Sequence, residues 1–201
     1  YQQMVKVYDV LPLNAEQSAK EYCQQLNLYL SQLHTATHQP LEQTLYKGTQ
    51  TRGNLFADNN PVITDLVNKL SLCIDAYIND MVDNASPYSA KKAEQYSFAG
   101  SWSARLNKEG YHSVHVHPMG WLSAVFYVEV PNTDNSAMQD KAGWLKFGES
   151  DLINASVLPA AHLVQPHVGQ LVIFPSYMWH GTVPLVQNGQ RTTIAFDIAK
   201  K

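Results

Sequence analysis

From about residue 94 the sequence is a series of short apolar-rich runs divided by turn signals, and few folds accommodate that pattern. The runs are 95–106, 111–117, 121–130, 144–148, 161–165, 170–175, 178–187 and 191–198. Between them stand turn formers such as Asn107-Lys108-Glu109-Gly110, Pro131-Asn132-Thr133-Asp134, Pro166-His167-Val168-Gly169 and Gln187-Asn188-Gly189-Gln190. Short strands at such spacing predict a sandwich or barrel. The first half reads differently. Met4 to Val10 predicts one strand. Asn14 is placed to cap a helix whose apolar face carries Tyr22, Leu26, Tyr29, Leu30 and Leu33. Residues 36–60 read as polar and irregular. Asn60-Pro61 then predicts a cap with proline in the first turn, opening a second amphipathic helix from Ile63 to Met81 that ends near Asp83. Both helices are expected to pack on one face of a sheet. The stretch 131–142 is the best candidate for a mobile loop.

With 201 residues the chain fits one domain. The expected division is a helical support region over 1–93 and a β core over 94–201. A net charge of −3 gives no broad basic surface to follow a phosphate backbone, so nucleic acid is not a favoured partner. No apolar run approaches the roughly 20 residues that cross a bilayer. Cys23 and Cys73 fall in apolar-periodic stretches and read as buried thiols rather than a disulfide framework. A cytoplasmic, intracellular setting is the expectation that follows. Asn84-Ala85-Ser86 and Asn154-Ala155-Ser156 match a glycosylation pattern short enough to recur by chance.

The chemistry concentrates in His115-Val116-His117. On extended backbone, side chains at i and i+2 point to one face, so these two imidazoles can converge. A third from His180, within Phe174-Pro175-Ser176-Tyr177-Met178-Trp179-His180-Gly181, would complete three corners of a metal site with aromatic walls. Three protein ligands leave coordination positions open, as a catalytic metal needs. Imidazole suits zinc, copper, nickel and iron alike. The absence of a CxxC pattern argues against a structural zinc site. His112, His162 and His167 read as ordinary hydrogen-bonded histidines. Arg191, Thr193 and Ala195 share one face of the last strand. A guanidinium pointing into a barrel needs an anion, either an internal acid or the carboxylate of a ligand.

These residues resemble the 2-oxoglutarate and Fe(II)-dependent oxygenase superfamily, over about residues 95–199. His115-Val116-His117 stands where that family carries an HxD or HxE motif. His180-Gly181-Thr182-Val183-Pro184 is similar to the distal histidine segment of its prolyl-hydroxylase branch. The run from His115-Val116-His117-Pro118 into Leu122-Ser123-Ala124-Val125-Phe126-Tyr127-Val128 resembles a bacterial and phage group with an H-x-H-P segment. The resemblance implies a mainly β fold, a double-stranded β-helix (a jelly-roll or cupin-like barrel) with the N-terminal helices packed on one face. It implies Fe(II) held by His115, His117 and His180. It implies 2-oxoglutarate anchored through its far carboxylate by Arg191, Tyr127 and Thr193, and decarboxylated to succinate as dioxygen oxidises a primary substrate, typically by hydroxylation.

His117 departs from the family pattern, because a neutral imidazole does not cancel a ferrous charge. Three arrangements follow: a working three-histidine iron site, a two-histidine site with its third position vacant or filled by an anion, and a degenerate fold without catalysis. Two rival functions stand beside the oxygenase. One is a cupin-like three-histidine metalloenzyme that uses no 2-oxoglutarate. The other is a non-catalytic module that binds a metal or carboxylate. Trp102, Trp121, Trp144 and Tyr177 are candidates for the barrel mouth, where an unidentified substrate would enter.

Overall fold

The computed structural model describes residues 1–11, 16–81, 95–131, 141–150, 152, 158–186 and 188–201. The expected Asn14 cap, the 93/94 boundary, both Asn-x-Ser patterns and all but the ends of the 131–142 loop lie outside them. The chain runs β1 (Lys6–Asp9), α1 (Glu16–Leu33), β2 (Leu45–Gln50), a 3-10 turn (Leu55–Ala57) and α2 (Pro61–Asn79). It continues through β3 (Tyr96–His112), β4 (Leu122–Glu129), β5 (Leu145–Phe147), β6 (His162–Val164), β7 (Gln170–Pro175), β8 (His180–Thr182) and β9 (Arg191–Lys200).

Local chemistry explains the start of α2. The Asn60 side chain accepts from the Val62 N–H at 3.0 Å, and Pro61 loses nothing in the first turn, where its missing N–H has no helical partner. Ile63, Leu66, Leu70, Ile74, Tyr77 and Ile78 recur at helical spacing and are all buried. The helix closes at Asn79 with Asp80 as its C-cap, slightly before the expected end near Asp83.

Two antiparallel sheets carry the rest. The larger has the order β1-β7-β4-β9-β3-β2 and the smaller β6-β5-β8. A single bridge between His115 and His180 ties the chain after β3 to β8. This is the expected double-stranded β-helix with helices on one face. Strand β9 shows how one sequence serves both faces. Ile194, Phe196 and Ile198 join Leu122, Ala124 and Phe126 of β4 and the apolar stripes of α1 and α2 in one core. The alternate residues Arg191, Thr193, Ala195 and Asp197 face the inner cavity instead.

Two expectations need correction. Residues 36–60 are not irregular throughout: they contain β2, which pairs with β3. Lys47 has φ 50°, and this irregularity breaks the alternation that marks a strand. Runs 95–106 and 111–117 are also not two strands. Leu106 pairs with Gly48 and Tyr111 with Tyr46, so residues 107–110 bulge out of one continuous β3. The turn chemistry there is real, with Glu109 at φ 62°, but it shapes a bulge within a strand. β3 ends at His112, so His115 and His117 lie on extended chain beyond it rather than in a ladder.

Candidate active site

The inner face of the barrel encloses a cavity of about 370 Å³, within the roughly 300–1,000 Å³ of small-molecule sites. His115, His117 and His180 line it, with ligand atoms all within 4.8 Å of one another. The backbone builds this convergence. His115 and His180 exchange N–H···O bonds at 2.9 and 3.0 Å, and the His117 N–H donates to Ser176 O at 2.9 Å. These bonds hold residues 115–117 extended beside β8, so the i, i+2 geometry survives without a regular strand.

Each imidazole is fixed by its far nitrogen. Nδ1 of His115 lies 2.7 Å from Ser113 O, and Nδ1 of His180 lies 2.9 Å from Met178 O. Nδ1 of His117 lies 2.8 Å from both carboxylate oxygens of Asp197. All three acceptors require a proton on Nδ1, which leaves each Nε2 with a lone pair. Yet the Nε2 atoms of His115 and His117 stand 2.9 Å apart. Two lone pairs at that separation need a cation between them. A proton satisfies two nitrogens, whereas a metal ion satisfies all three. The donor set therefore fits a metal.

The surroundings of His115 and His180 favour the neutral imidazole. Phe174 meets the His180 ring edge-on at 4.6 Å between centroids, and Trp102 stacks on His117 at 5.8 Å. Burial pushes His115 down to about 4 and His180 well below the usual histidine value, and the neighbouring imidazoles add to both effects. A metal ligand needs this unprotonated state.

Arg191 is 2% exposed, and its Nε has no hydrogen-bond partner. Among the described residues no carboxylate pairs with it. Its guanidinium carbon stands 5.0 Å from the centre of the Tyr127 ring. The Tyr127 hydroxyl is equally buried and meets no partner at hydrogen-bonding geometry. Burial raises the Tyr127 phenol above its usual value, against the opposing charge of Arg191. Thr193, which pairs with Tyr127 across β4 and β9, donates to Ala104 O in a long 3.4 Å contact. A buried guanidinium with no carboxylate partner among the described residues and an unpaired Nε, beside a buried phenol, is costly by itself and suits a ligand carboxylate.

Sequence reasoning missed two residues here. His112 lines the cavity and is not an ordinary histidine: burial, then the charge of Arg191, holds it down at about 3. Its Nδ1 lies 3.3 Å from Thr44 Oγ1, a contact that depends on the unforeseen β2. Asp197 is the other, and one more step along the Arg191, Thr193, Ala195 face would have found it. His162 stacks on Tyr1 outside the cavity, and His167 is exposed. Of the four aromatic candidates only Trp102 borders the cavity. Trp121 packs on the helical core, Tyr177 is exposed, and Trp144 borders a smaller space beside Arg191.

A double-stranded β-helix with three imidazoles converging in its cavity defines a class of barrel proteins built around a metal site. Within that class, residues 100–197 match the family described as "Putative 2OG-Fe(II) oxygenase". No curated protein matches. Among solved structures, the viral collagen prolyl hydroxylase vCPH from Paramecium Bursaria Chlorella virus-1, in its 2OG complex, is similar with TM-score 0.62 and 12% identity, covering 97% of this chain and 95% of that one. The prolyl hydroxylase from Trichoplax adhaerens, solved with a hypoxia inducible factor peptide fragment, gives TM-score 0.62 at 15% identity, covering 98% and 84%. HygX from Streptomyces hygroscopicus, with nickel, 2-oxoglutarate and hygromycin B bound, gives 0.62 at 14%, covering 100% and 84%. Identities this low carry the fold alone. Over residues 100–197 the chain is therefore similar to this family, and it has the fold of the 2-oxoglutarate/Fe(II) oxygenases with a histidine cluster that could hold a metal.

Proposed function

We propose that the chain is an Fe(II)- and 2-oxoglutarate-dependent dioxygenase acting as a hydroxylase. His115, His117 and His180 hold the metal, and Arg191, Tyr127 and Thr193 hold the co-substrate. One observation carries the reading: a cluster of Nε2 lone pairs and a buried guanidinium without a carboxylate partner among the described residues line the same cavity. When bound, Fe(II) with 2-oxoglutarate supplies dioxygen activation coupled to decarboxylation to succinate. The protein's share is placement. The acceptors on Nδ1 aim three imidazoles at one point. Arg191 and Tyr127 donate to the far carboxylate and thereby fix the angle at which the other end of the co-substrate reaches the metal. Phe174, Leu145 and Val125 line the cavity with apolar surface and limit water there.

The open side is marked by Gln43 and Met119, which are exposed and border the cavity, and the primary substrate enters there. No described helix is long and apolar enough to cross a membrane. An intracellular setting belongs to the same proposal and rests on two free thiols, Cys23 and Cys73. The rival without 2-oxoglutarate has Arg191 either pair with an internal acid or bind the primary substrate, and no carboxylate pairs with it among the described residues.

Turnover tests the proposal. With Fe(II), ascorbate, 2-oxoglutarate and air, succinate is expected even before a primary substrate is found. No succinate from protein with iron demonstrably bound overturns the oxygenase reading and leaves the metalloenzyme without 2-oxoglutarate and the binding module.

A further inference from the structure

We propose that Asp197 is a positioning residue for the metal: it holds His117 and gives the site, through that imidazole, the negative charge that an HxD acid gives by direct ligation. The inference rests on the three-histidine reading of the metal centre.

The three imidazoles are not held alike. His115 and His180 lean on neutral backbone carbonyls, Ser113 O and Met178 O. His117 alone leans on a carboxylate, with both oxygens of Asp197 at 2.8 Å from its Nδ1. This is also the histidine that stands where the superfamily pattern has an acid. The missing anion is therefore present, one imidazole further out. A carboxylate behind a metal-bound imidazole fixes its tautomer and raises its basicity. It also lowers the net charge of the centre without occupying a coordination position.

Asp197 is built in for that task. Its side chain is 17% exposed, and among the described residues no lysine or arginine pairs with it. Ser123, its cross-strand partner on β4, donates to Oδ1 at 2.6 Å, and Ser123 is itself 2.9 Å from Ser176 Oγ. Ser176 also anchors the His117 backbone through its carbonyl. Gly120 makes room for this group: a Cβ there would lie 2.4 Å from Ser176 Oγ. Trp102 covers the His117 ring. Residues from three segments thus hold a carboxylate against one imidazole.

A double-mutant cycle on metal affinity tests this, with Co(II) as the probe. Asp197→Asn keeps the shape and removes the charge, and it is expected to weaken Co(II) by roughly 10–100-fold. His117→Ala should weaken it more. In the His117→Ala background Asp197→Asn should cost nothing further, because its effect travels through that ring. The Fe(III)/Fe(II) potential of Asp197→Asn should move positive, since the negative charge that stabilises the more positive ferric state is gone. Unchanged Co(II) affinity in Asp197→Asn, or an equal loss in both backgrounds, overturns the proposal. His117→Ala with wild-type affinity overturns the three-histidine reading instead. A measurement on the wild-type protein guards against a variant that does not fold. In imidazole proton–nitrogen spectra of the Zn(II) form, one of three Nδ1 protons is expected well downfield of the others, as the only one facing a charged acceptor. Three similar shifts would contradict the assignment.

Discussion

The guanidinium of Arg191 lies over the ring of Tyr127 at 5.0 Å, and each side chain carries a buried polar atom with no hydrogen-bond partner. A fold keeps such a pair when something else completes it. Arg191→Met should weaken 2-oxoglutarate binding by roughly 100-fold, since hydrogen bonds to a charged group contribute about 1.5–3 kcal/mol. Calorimetric titration of the metal-loaded protein measures this. The same substitution should leave thermal stability without co-substrate unchanged or raised, because an unpaired buried charge is removed.

Tyr127→Phe removes one neutral donor and should cost about 1 kcal/mol, roughly a fivefold weaker 2-oxoglutarate. Metal affinity should stay constant. A loss as large as that of Arg191→Met would mean the phenol shapes the whole pocket rather than donating to one carboxylate.

Histidine burial sets the acid limb of stability. His34, His112 and His115 lie at about 4, about 3 and about 4 against an ordinary 6.5, with burial the largest cause each time. Below 6.5 the unfolded chain takes up these protons before the folded one, so stability rises with pH across that window. The contribution is fully present above about 6.5 and is lost as pH falls from there toward about 4 for His34 and His115 and about 3 for His112. Each such histidine contributes a slope of about 1.4 kcal/mol per pH unit inside the window. Urea unfolding of the metal-free protein should show a midpoint well below its pH 7.5 value at pH 5.5. A flat midpoint would contradict neutral buried imidazoles.

The two faces of β9 should separate in mutants. Phe196→Ala empties the core between sheet and helices and should cost about 3–5 kcal/mol of unfolding free energy. Its effect on 2-oxoglutarate affinity, measured where the variant is folded, should be small beside that of Arg191→Met.

The same strand shows what could be read in advance. Strict alternation placed Arg191, Thr193 and Ala195 on one face, and they do line the cavity. The convergence of His115 and His117 needed only extended backbone, which two backbone bonds to His180 and one to Ser176 provide. Other features depended on contacts between distant segments. β2 was hidden because a bulge at Lys47 breaks its alternation, and His112 took its place in the cavity only once β2 brought Thr44 beside it. Trp121 and Trp144 looked equivalent to Trp102 in sequence, and only the folded surroundings separate them: Trp121 packs on the helical core and Trp144 borders the smaller space beside Arg191. Asp197 was visible by parity but gains meaning only from Nδ1 of a histidine 80 positions away.

The central claim is that three histidines hold iron and Arg191 orients 2-oxoglutarate on it. Anaerobic titration of the Fe(II)-loaded protein with 2-oxoglutarate tests both at once through the weak visible charge-transfer band of the chelate. The account predicts a saturable band in the wild-type protein, lost in Arg191→Met at the same co-substrate concentration and lost with the metal in His117→Ala. Iron bound at full stoichiometry with no band, or an Arg191→Met titration that overlays the wild type, would contradict it.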